Sequence, residues 1–326
     1  MQAVVLSDRG VGFEPDYPFP EPGVHEILVR VLRAGICETD LQLVRGYMGF
    51  RGVLGHEFVG IAEDGPLRGE RVVAEINCSC HRCRLCRDGL SNHCPHRSVL
   101  GILNHDGAFA EYVAVPRRNV HWVPDRVTTD QAVFVEPLAA AFEILRQVPV
   151  RDVQRAIVLG DGRLGNLCAQ VLRNAGCRVL VVGKHTPKLD LLRRLDIETA
   201  RLDEVEPDRS AELVVDCTGS ASGWETAMRF LRPRGTLVLK TTIADRQQLH
   251  LAPLVIDEIT VVGSRCGPFP DALEALERGE VTVEPLINAR FPLAEAERAF
   301  QTATRADTLK VLFDVADGPK QPPEPS

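Results

Sequence analysis

The sequence predicts an α/β protein in which a β-rich, barrel-like domain is combined with a doubly wound parallel sheet. Two observations predict this fold. In the first third of the chain, short apolar runs alternate with glycine and proline, as in residues 26–35, 57–64 and 70–76, which is typical of short strands joined by turns. From residue 156 onward, continuous apolar strands alternate with helical stretches, which indicates a parallel sheet covered on both faces.

The remaining elements follow in order along the chain. A helix is predicted to open at residue 136 and to continue to about residue 147. Buried strands are predicted at residues 156–160, 177–183, 212–219, 235–242 and 258–264. An amphipathic helix is predicted over 271–280 and a strand over 310–313, and residues 317–326 have the composition of a disordered tail.

Composition and charge narrow the class of protein. The chain has 326 residues, enough for two domains with cores of their own, and a formal net charge of −7. That charge disfavours a nucleic-acid partner, since phosphate contacts require a basic surface. No apolar stretch is long enough to span a bilayer, and the N-terminus lacks the pattern of a signal peptide. We therefore expect neither a membrane nor a nucleic acid as partner.

Four of the ten cysteines, Cys80, Cys83, Cys86 and Cys94, lie close together. Their spacing, C-x2-C-x2-C-x7-C, lets four thiolates close one tetrahedral structural zinc site and fold a loop with little core of its own. An iron–sulfur cluster is the competing interpretation because Pro95 follows the run, but the last interval of a ferredoxin run is shorter. Cysteines used in this way favour a reducing cytoplasm over a disulfide scaffold.

A second group of candidate metal ligands lies upstream. A lone Cys37 is followed by the triplet Gly55-His56-Glu57. Thiolate, imidazole and carboxylate together can hold zinc while one coordination position stays open, which is typical of a catalytic site. The sequence therefore predicts two zinc sites of different kinds.

A glycine-rich turn follows the first strand of the parallel sheet. Residues 160–165 fit the pattern G-x-G-x-x-G, which indicates dinucleotide binding when it follows a strand and opens a helix. The three glycines of such a turn allow a tight bend, close approach of the pyrophosphate and close packing of helix on strand. The candidate cofactor-binding residues here are Gly160, Gly162, Arg163, Leu164 and Gly165. The competing interpretation is a tight turn that binds nothing.

The end of the second strand bears on the choice of cofactor. NAD sites usually place an acidic residue there to accept a hydrogen bond from the ribose 2′-OH. This chain has Gly183 instead, followed by Lys184 and His185, so a cation is in place to meet a 2′-phosphate. The pattern favours NADP over NAD; alternatively, Lys184 is merely solvated and either cofactor is used.

The order of these motifs resembles that of the zinc-dependent medium-chain alcohol and polyol dehydrogenases. A cysteine followed by Thr-Asp, then GHE, the four-cysteine lobe, EPLA and the glycine-rich turn run in the same order over about residues 1–315. The resemblance implies a GroES-like catalytic domain built from both chain ends, with a Rossmann domain inserted. The implied boundaries are 1–140 with a zinc lobe at about 78–96, then 141–267, then 268–326. It also implies a homodimer or homotetramer.

The resemblance assigns roles to single residues. It places Cys37, His56 and Glu57 in the catalytic-zinc motif and Glu136 at the fourth ligand position, where glutamate is similar to the polyol and sugar branch. Whether Glu57 or Glu136 binds zinc directly or through water stays open. Asp40 is expected to orient the imidazole of His56.

Thr39 is expected to take the proton of the substrate hydroxyl. Many relatives continue this relay through a histidine at the position of Gln42, so here the relay ends at the cofactor ribose, at water or at another group. Arg265 lies in a segment that resembles the one beside the nicotinamide; the competing interpretation is a salt bridge elsewhere.

These expectations predict an oxidoreductase that transfers a hydride between a secondary alcohol, polyol or sugar derivative and NAD(P), with zinc polarising the substrate oxygen. Two alternatives remain. One is an NADPH-dependent carbonyl reductase of a biosynthetic pathway, and the other is a non-catalytic protein that binds cofactor and zinc as a sensor or structural element. The retained ligands Cys37, His56 and Glu57 favour catalysis.

Overall fold

The computed structural model describes residues 1–240 and 249–316, and the chain divides into two compact units. Unit 1 contains Met1–Glu136 and the chain from Ile287 onward, and unit 2 contains Pro137–Leu286. The predicted disordered tail and the end of the strand predicted over 235–242 lie outside the described residues. Within the described part of the chain, no helix is long and apolar enough to cross a membrane.

Residues 1–150 are rich in short strands, as predicted. The strands are β1 (Ala3–Ser7), β2 (Gly10–Glu14), β3 (Glu26–Gly35), β4 (Gly52–Val53), β5 (Glu57–Ala62), β6 (Arg71–Ala74), β7 (Asn77–Cys78), β8 (Ser98–Val99), β9 (Tyr112–Pro116) and β10 (Val120–Trp122). The helices are α1 (Glu38–Val44), α2 (Arg84–Arg87), α3 (Thr129–Ala132) and α4 (Val135–Gln147).

Unit 2 alternates strands with helices. Its strands are β11 (Arg155–Leu159), β12 (Arg178–Gly183), β13 (Glu198–Arg201), β14 (Ala211–Asp216), β15 (Leu231–Leu239) and β16 (Thr260–Gly263). Its further helices are α5 (Arg163–Asn174), α6 (Thr186–Arg193), α7 (Gly223–Phe230), α8 (Ala252–Ile256) and α9 (Phe269–Glu277).

The sheet of unit 2 is parallel throughout and runs in the order β13-β12-β11-β14-β15-β16. This is the strand order of dinucleotide-binding domains, in which ligands bind beyond the carboxyl ends of the central strands. The register pairs Leu159 with both Val182 and Asp216, so β11, β12 and β14 end at one edge. The turn that follows β11 therefore lies beside the end of β12.

The second boundary between the units falls at 286/287, whereas the sequence placed it at 267/268. Residues after 267 pack on unit 2. A Cβ atom on Gly267 would lie 1.9 Å from the carbonyl oxygen of Ala139. The side chain of Gln170 donates to the carbonyl of Thr282 (2.9 Å), and the N–H of Thr282 donates back (2.8 Å). These contacts join the chain on both sides of α9 to α4 and α5 of unit 2, to which α9 belongs.

The end of the chain returns to unit 1 as β17 (Ile287–Pro292), α10 (Ala296–Ala303) and β18 (Lys310–Asp314). The main sheet there runs β10-β6-β5-β3-β18-β17, and β9 also pairs with β3. Gly35 at the end of β3 pairs with Glu57 on one side and Leu312 on the other. This register brings the start of β5, the end of β3 and the start of β18 to one place.

The core beneath that place is aromatic. The rings of Phe109 and Phe313 meet edge to face with centroids 4.9 Å apart, and Phe300 lies 6.2 Å from Phe109. Gly55 has φ +97°, and a Cβ there would lie 2.2 Å from the Phe109 ring. Glycine is required at this position both for its backbone conformation and for the close packing.

Candidate active site and metal centres

Three predicted ligands converge in unit 1. One ligand atom each of Cys37, His56 and Glu57 lies within 4.8 Å of the others. Cys37 is the residue before α1, and His56 directly precedes β5, whose first residue is Glu57. His56 is only 3% exposed and Glu57 is fully buried. A half-buried thiol with a buried imidazole and a buried carboxylate within this distance matches the donor set of a catalytic zinc site.

Asp40, which the sequence led us to expect as the group that orients His56, lies beside this cluster. Its Oδ1 lies 3.4 Å from Nδ1 of His56, and its Oδ2 accepts from the backbone N–H of Cys37 (2.8 Å). Facing Nδ1, the carboxylate leaves Nε2 as the nitrogen for a metal. Burial lowers the pKa of His56, but the negative charges of Asp40 and Cys37 outweigh burial and raise it well above its usual value. Charges that favour a proton here favour a metal cation as well.

A fully buried lysine, Lys310, forms an ion pair with Glu57, and the sequence analysis missed it. Its Nζ also lies 3.4 Å from the carbonyl oxygen of Ile36. Burial lowers the pKa of Lys310 to about 8, although nearby Cys37 opposes this. A Cβ on Gly35 would lie 2.4 Å from the lysine side chain, so a glycine at that position leaves room for Lys310. No local signal marks this lysine, because only the strand pairing brings it to Glu57.

The other catalytic candidates of unit 1 lie outside the ligand group of Cys37, His56 and Glu57. Glu136 lies in the first turn of α4 and is not part of the three-residue ligand group found among the described residues. The hydroxyl of Thr39 lies 3.8 Å from the sulfur of Cys37. The side chain of Gln42 donates to Glu38 (2.9 Å), the residue one turn earlier. Thr39 therefore lies beside a ligand, while Gln42 is engaged within α1.

The four predicted cysteines of the lobe also converge. The sulfur of Cys83 lies 3.5 Å from that of Cys86 and 3.9 Å from that of Cys94, and Cys94 lies 3.5 Å from Cys80. Tetrahedral zinc with Zn–S bonds of about 2.3 Å separates its sulfurs by roughly 3.8 Å. The sulfurs therefore fit a zinc ion, and neighbouring Cys78 is not part of this group.

The ionisation of these thiols is uneven. A hydrogen bond from the backbone of Arg82 is the main cause that lowers the pKa of Cys80 to about 6. Burial, together with the neighbouring thiols, raises the pKa of Cys86 to about 12. Crowded thiols resist joint ionisation, and a dication relieves that repulsion.

The glycine-rich turn of unit 2 has the geometry of a dinucleotide site. Gly160 has φ +110°, and a Cβ there would lie 2.6 Å from the carbonyl oxygen of Cys217. A Cβ on Gly165 would lie 2.1 Å from the carbonyl oxygen of Gly160. Gly162 precedes α5 and has open space where its side chain would be. The first and third glycines are thus required for packing, and the second leaves room for a phosphate.

The end of β12 differs from its sequence-based description. From the sequence, no carboxylate was expected at the end of β12. This expectation is wrong, because Asp161 of the glycine-rich turn supplies one. Its Oδ2 accepts from the backbone N–H groups of Lys184 (2.7 Å) and His185 (2.6 Å). Its Oδ1 lies 3.0 Å from Nδ1 of His185. The missing carboxylate can therefore no longer be used to infer a preference for NADP.

Comparison with known proteins completes this description. Residues 23–125 match the model of the alcohol dehydrogenase GroES-like domain, and residues 164–278 match that of zinc-binding dehydrogenases. The chain belongs to the zinc-dependent medium-chain dehydrogenase family. It is therefore an enzyme, an oxidoreductase that combines zinc with a nicotinamide cofactor.

Several members of the dehydrogenase family are similar over nearly the whole chain. A sorbitol dehydrogenase of Halalkalibacterium halodurans is 28% identical and covers 97% of this chain and 100% of its own. A protein of Sinorhizobium meliloti, described as a zinc-binding dehydrogenase bound to NADP, has a TM-score of 0.87 at 27% identity, with 96% and 98% of the chains covered. The alcohol dehydrogenase TADH of Thermus sp. ATN1 has a TM-score of 0.87 at 27% identity, with 97% and 100% covered.

Two cationic residues lie near the carboxyl edge of the dehydrogenase's parallel sheet. Arg265 follows β16 and contacts the sulfur of Cys266 (3.6 Å), whose φ is +28°. Lys240 follows β15 and is 8% exposed; its ammonium donates to the carbonyl of Ala140 and to the hydroxyl of Ser264 (3.0 Å). Arg265 was a candidate from the sequence. Lys240 was not, because a lysine at a strand end has no distinctive pattern.

The ion pair at the ligand cluster leads to a stability prediction. Lys310→Met should lower the free energy of unfolding by about 3–5 kcal/mol, because it leaves the carboxylate of Glu57 buried without a counter-ion. Urea unfolding of wild type and variant measures the difference. The matched control is the double variant Glu57→Gln/Lys310→Met, which removes both charges and should lose less stability than Lys310→Met alone. Wild-type stability of the single variant would contradict the role assigned to this pair.

Proposed function

We propose that this dehydrogenase transfers a hydride between the hydroxyl-bearing carbon of a secondary alcohol, polyol or sugar derivative and NAD(P). The observation that carries the proposal is the cluster of half-buried Cys37 with buried His56 and Glu57 in a chain that also has a dinucleotide-type glycine turn. The sorbitol dehydrogenase relative supports a polyol as substrate. A sensor or structural role without catalysis is not favoured, because the relatives over nearly the whole chain are dehydrogenases.

In this proposal Cys37 and His56 hold the catalytic zinc, and Asp40 keeps the imidazole in its binding orientation. Bound zinc supplies Lewis-acid polarisation of the substrate oxygen. Glu57, neutralised by Lys310, and Glu136 are the two candidates for a further ligand, either directly or through water.

Thr39 is the group proposed to accept the substrate's hydroxyl proton, because its own hydroxyl lies beside the ligand Cys37. Gln42 cannot accept and release a proton as a histidine does, so the proton continues through water or a cofactor hydroxyl.

The cofactor in this proposal lies over the turn formed by Gly160, Gly162 and Gly165, with Arg163 and Leu164 at the start of α5. Backbone N–H groups at a helix start favour the pyrophosphate. Arg265 remains a candidate for the nicotinamide side. Lys184 and His185 would favour a 2′-phosphate, whereas the carboxylate of Asp161 beside them would oppose it.

Hydride transfer is tested directly by kinetics. Initial rates on polyols, sugar alcohols and secondary alcohols, followed through the absorbance of the reduced nicotinamide, should identify a substrate. His56→Ala should lower kcat by about 10²–10³-fold or more, because the metal that stabilises charge on the substrate oxygen is lost. His25→Ala, which changes an exposed histidine of the same unit, should keep the wild-type rate. Full activity of His56→Ala, or zinc-loaded protein inactive throughout, would count against the proposal.

We also propose two zinc ions per chain, supported by the two separate ligand groups. Elemental analysis by mass spectrometry should find about two zinc per chain in wild type and about one in Cys83→Ser, because three thiolates do not close a structural site. Cys78→Ser is the matched control and should keep two, since its sulfur lies outside the four-cysteine group. Iron with inorganic sulfide in the wild type would instead identify a cluster.

A homodimer through the edge of the parallel sheet is proposed for the assembly. Among the strands described, β16 ends the sheet and pairs only with β15. On α8, which directly precedes β16 in the chain, Val255 is 79% exposed and Ile256 77% exposed, and Val261 of β16 is 37% exposed. An apolar patch next to an open strand edge is typical of a surface that pairs with a second copy.

The assembly is tested by light scattering coupled to size exclusion. Wild type should have at least twice the mass of one chain, and Ile256→Asp should shift it toward the monomer, because a charge in an apolar interface is left unpaired. Val24→Asp places the same charge on a valine that is 92% exposed in unit 1 and should leave the mass unchanged. A monomeric wild type would rule out this assembly.

A further inference from the structure

The carboxylate of Asp161 occupies the space beside Gly183, the last residue of β12. A side chain at position 183 would begin in that space. A Cβ built on Gly183 would lie 2.5 Å from Oδ2 of Asp161 and 2.6 Å from its Cβ. The two positions meet because β11 and β12 are neighbours and the N–H of Gly160 donates to the carbonyl of Val182 (2.9 Å). Glycine at 183 therefore leaves room for a side chain that comes from the adjacent turn.

This point of the fold determines which ribose a dinucleotide site accepts. An acidic side chain here accepts from the 2′-OH of NAD, while NADP sites accommodate the 2′-phosphate with a cation. We propose that Asp161 takes the place of the missing strand-end carboxylate, accepting from the ribose 2′-OH and excluding a 2′-phosphate. The inference rests on the proposed function, since it requires that the glycine-rich turn bind NAD(P).

Asp161 is held in its charged form. Burial raises the pKa of its carboxyl, but the hydrogen bonds from His185 and from the backbone of Lys184 outweigh burial and bring the pKa below its usual value. Among the described residues, Oδ1 accepts only from Nδ1 of His185. A carboxylate oxygen has two lone pairs, so Oδ1 keeps acceptor capacity for a ribose hydroxyl.

The same carboxylate already occupies the donors that an incoming phosphate would need. The backbone N–H groups of Lys184 and His185 both point to Oδ2 of Asp161, so a 2′-phosphate would have to displace it or lie beside it. Two anions in contact repel each other, so a 2′-phosphate beside Asp161 is disfavoured. The nearby cation Arg201 is committed too, as its guanidinium pairs with Asp203 (2.7 Å) and Glu204 (3.5 Å).

Fragment binding tests the proposal without turnover. Zinc-loaded protein is titrated calorimetrically with ADP-ribose and with ADP-ribose carrying a 2′-phosphate. Wild type should bind ADP-ribose at least about tenfold more tightly, because like charges oppose the phosphate. Asp161→Asn keeps the shape and removes the charge, so the ratio of the two dissociation constants should fall by about tenfold or more. If the side-chain amide of Asp161→Asn disturbs the turn, Asp161→Ser serves as the second variant.

Asp190→Asn is the matched control. It removes the same charge from α6, where Asp190 is exposed and pairs with Arg193, and it should leave the ratio unchanged. Equal or tighter binding of the 2′-phosphate form by wild type would overturn the role of Asp161, as would equal shifts in Asp161→Asn and Asp190→Asn. If wild type binds neither fragment, the cofactor site of the proposed function fails together with this inference, whereas binding without preference counts against Asp161 alone.

Discussion

The buried ion pair between Glu57 and Lys310 is the interaction on which the ligand site depends. It joins β5, near the beginning of the chain, to β18, near its end. Two charges without water are tolerated only when they meet each other, so β5 and β18 must each pair with β3, the strand between them, in one register. Gly35 fits this requirement, because any larger residue between β5 and β18 would collide with the lysine. The register also places Cys37, two residues after Gly35, beside His56.

This arrangement explains why the first unit is built from both ends of the chain. β18 pairs with β3, and its Phe313 packs on Phe109 directly beneath Gly55. The candidate metal ligands therefore lie on an aromatic core and a continuous sheet. A ligand group held by strand ends keeps its geometry better than one held by a loop. The four-cysteine lobe is the opposite case, since among its four candidate ligands only Cys94 is buried, and the zinc proposed for it would supply the stability that its small core does not.

The site in unit 2 also depends on glycines that let neighbouring parts of the chain pack closely. Its glycines are required where β11, β12 and β14 end together, since Gly160 and Gly165 pack against backbone and Gly183 packs against Asp161. The carboxylate beside Gly183 is thus defined by its location and not by its place in the sequence. A motif that expects the acid on one strand overlooks an acid supplied by the neighbouring turn, although the physical requirement is the same.

The sequence by itself determined the fold class, the parallel sheet and the four-cysteine group, and it named Cys37, His56 and Glu57 as candidate ligands. The first three depend on short spacings and on periodicity, which each segment carries locally, and the candidate ligands depend on the order of motifs along the chain. The tertiary structure alone decided the pairing of Glu57 with Lys310, the burial of Lys240 and the carboxylate beside Gly183. Each joins residues from different strands, and a lysine or an aspartate at a strand end has no pattern that names its partner. Strand order and register, which arise from packing over the whole chain, determine which charges meet.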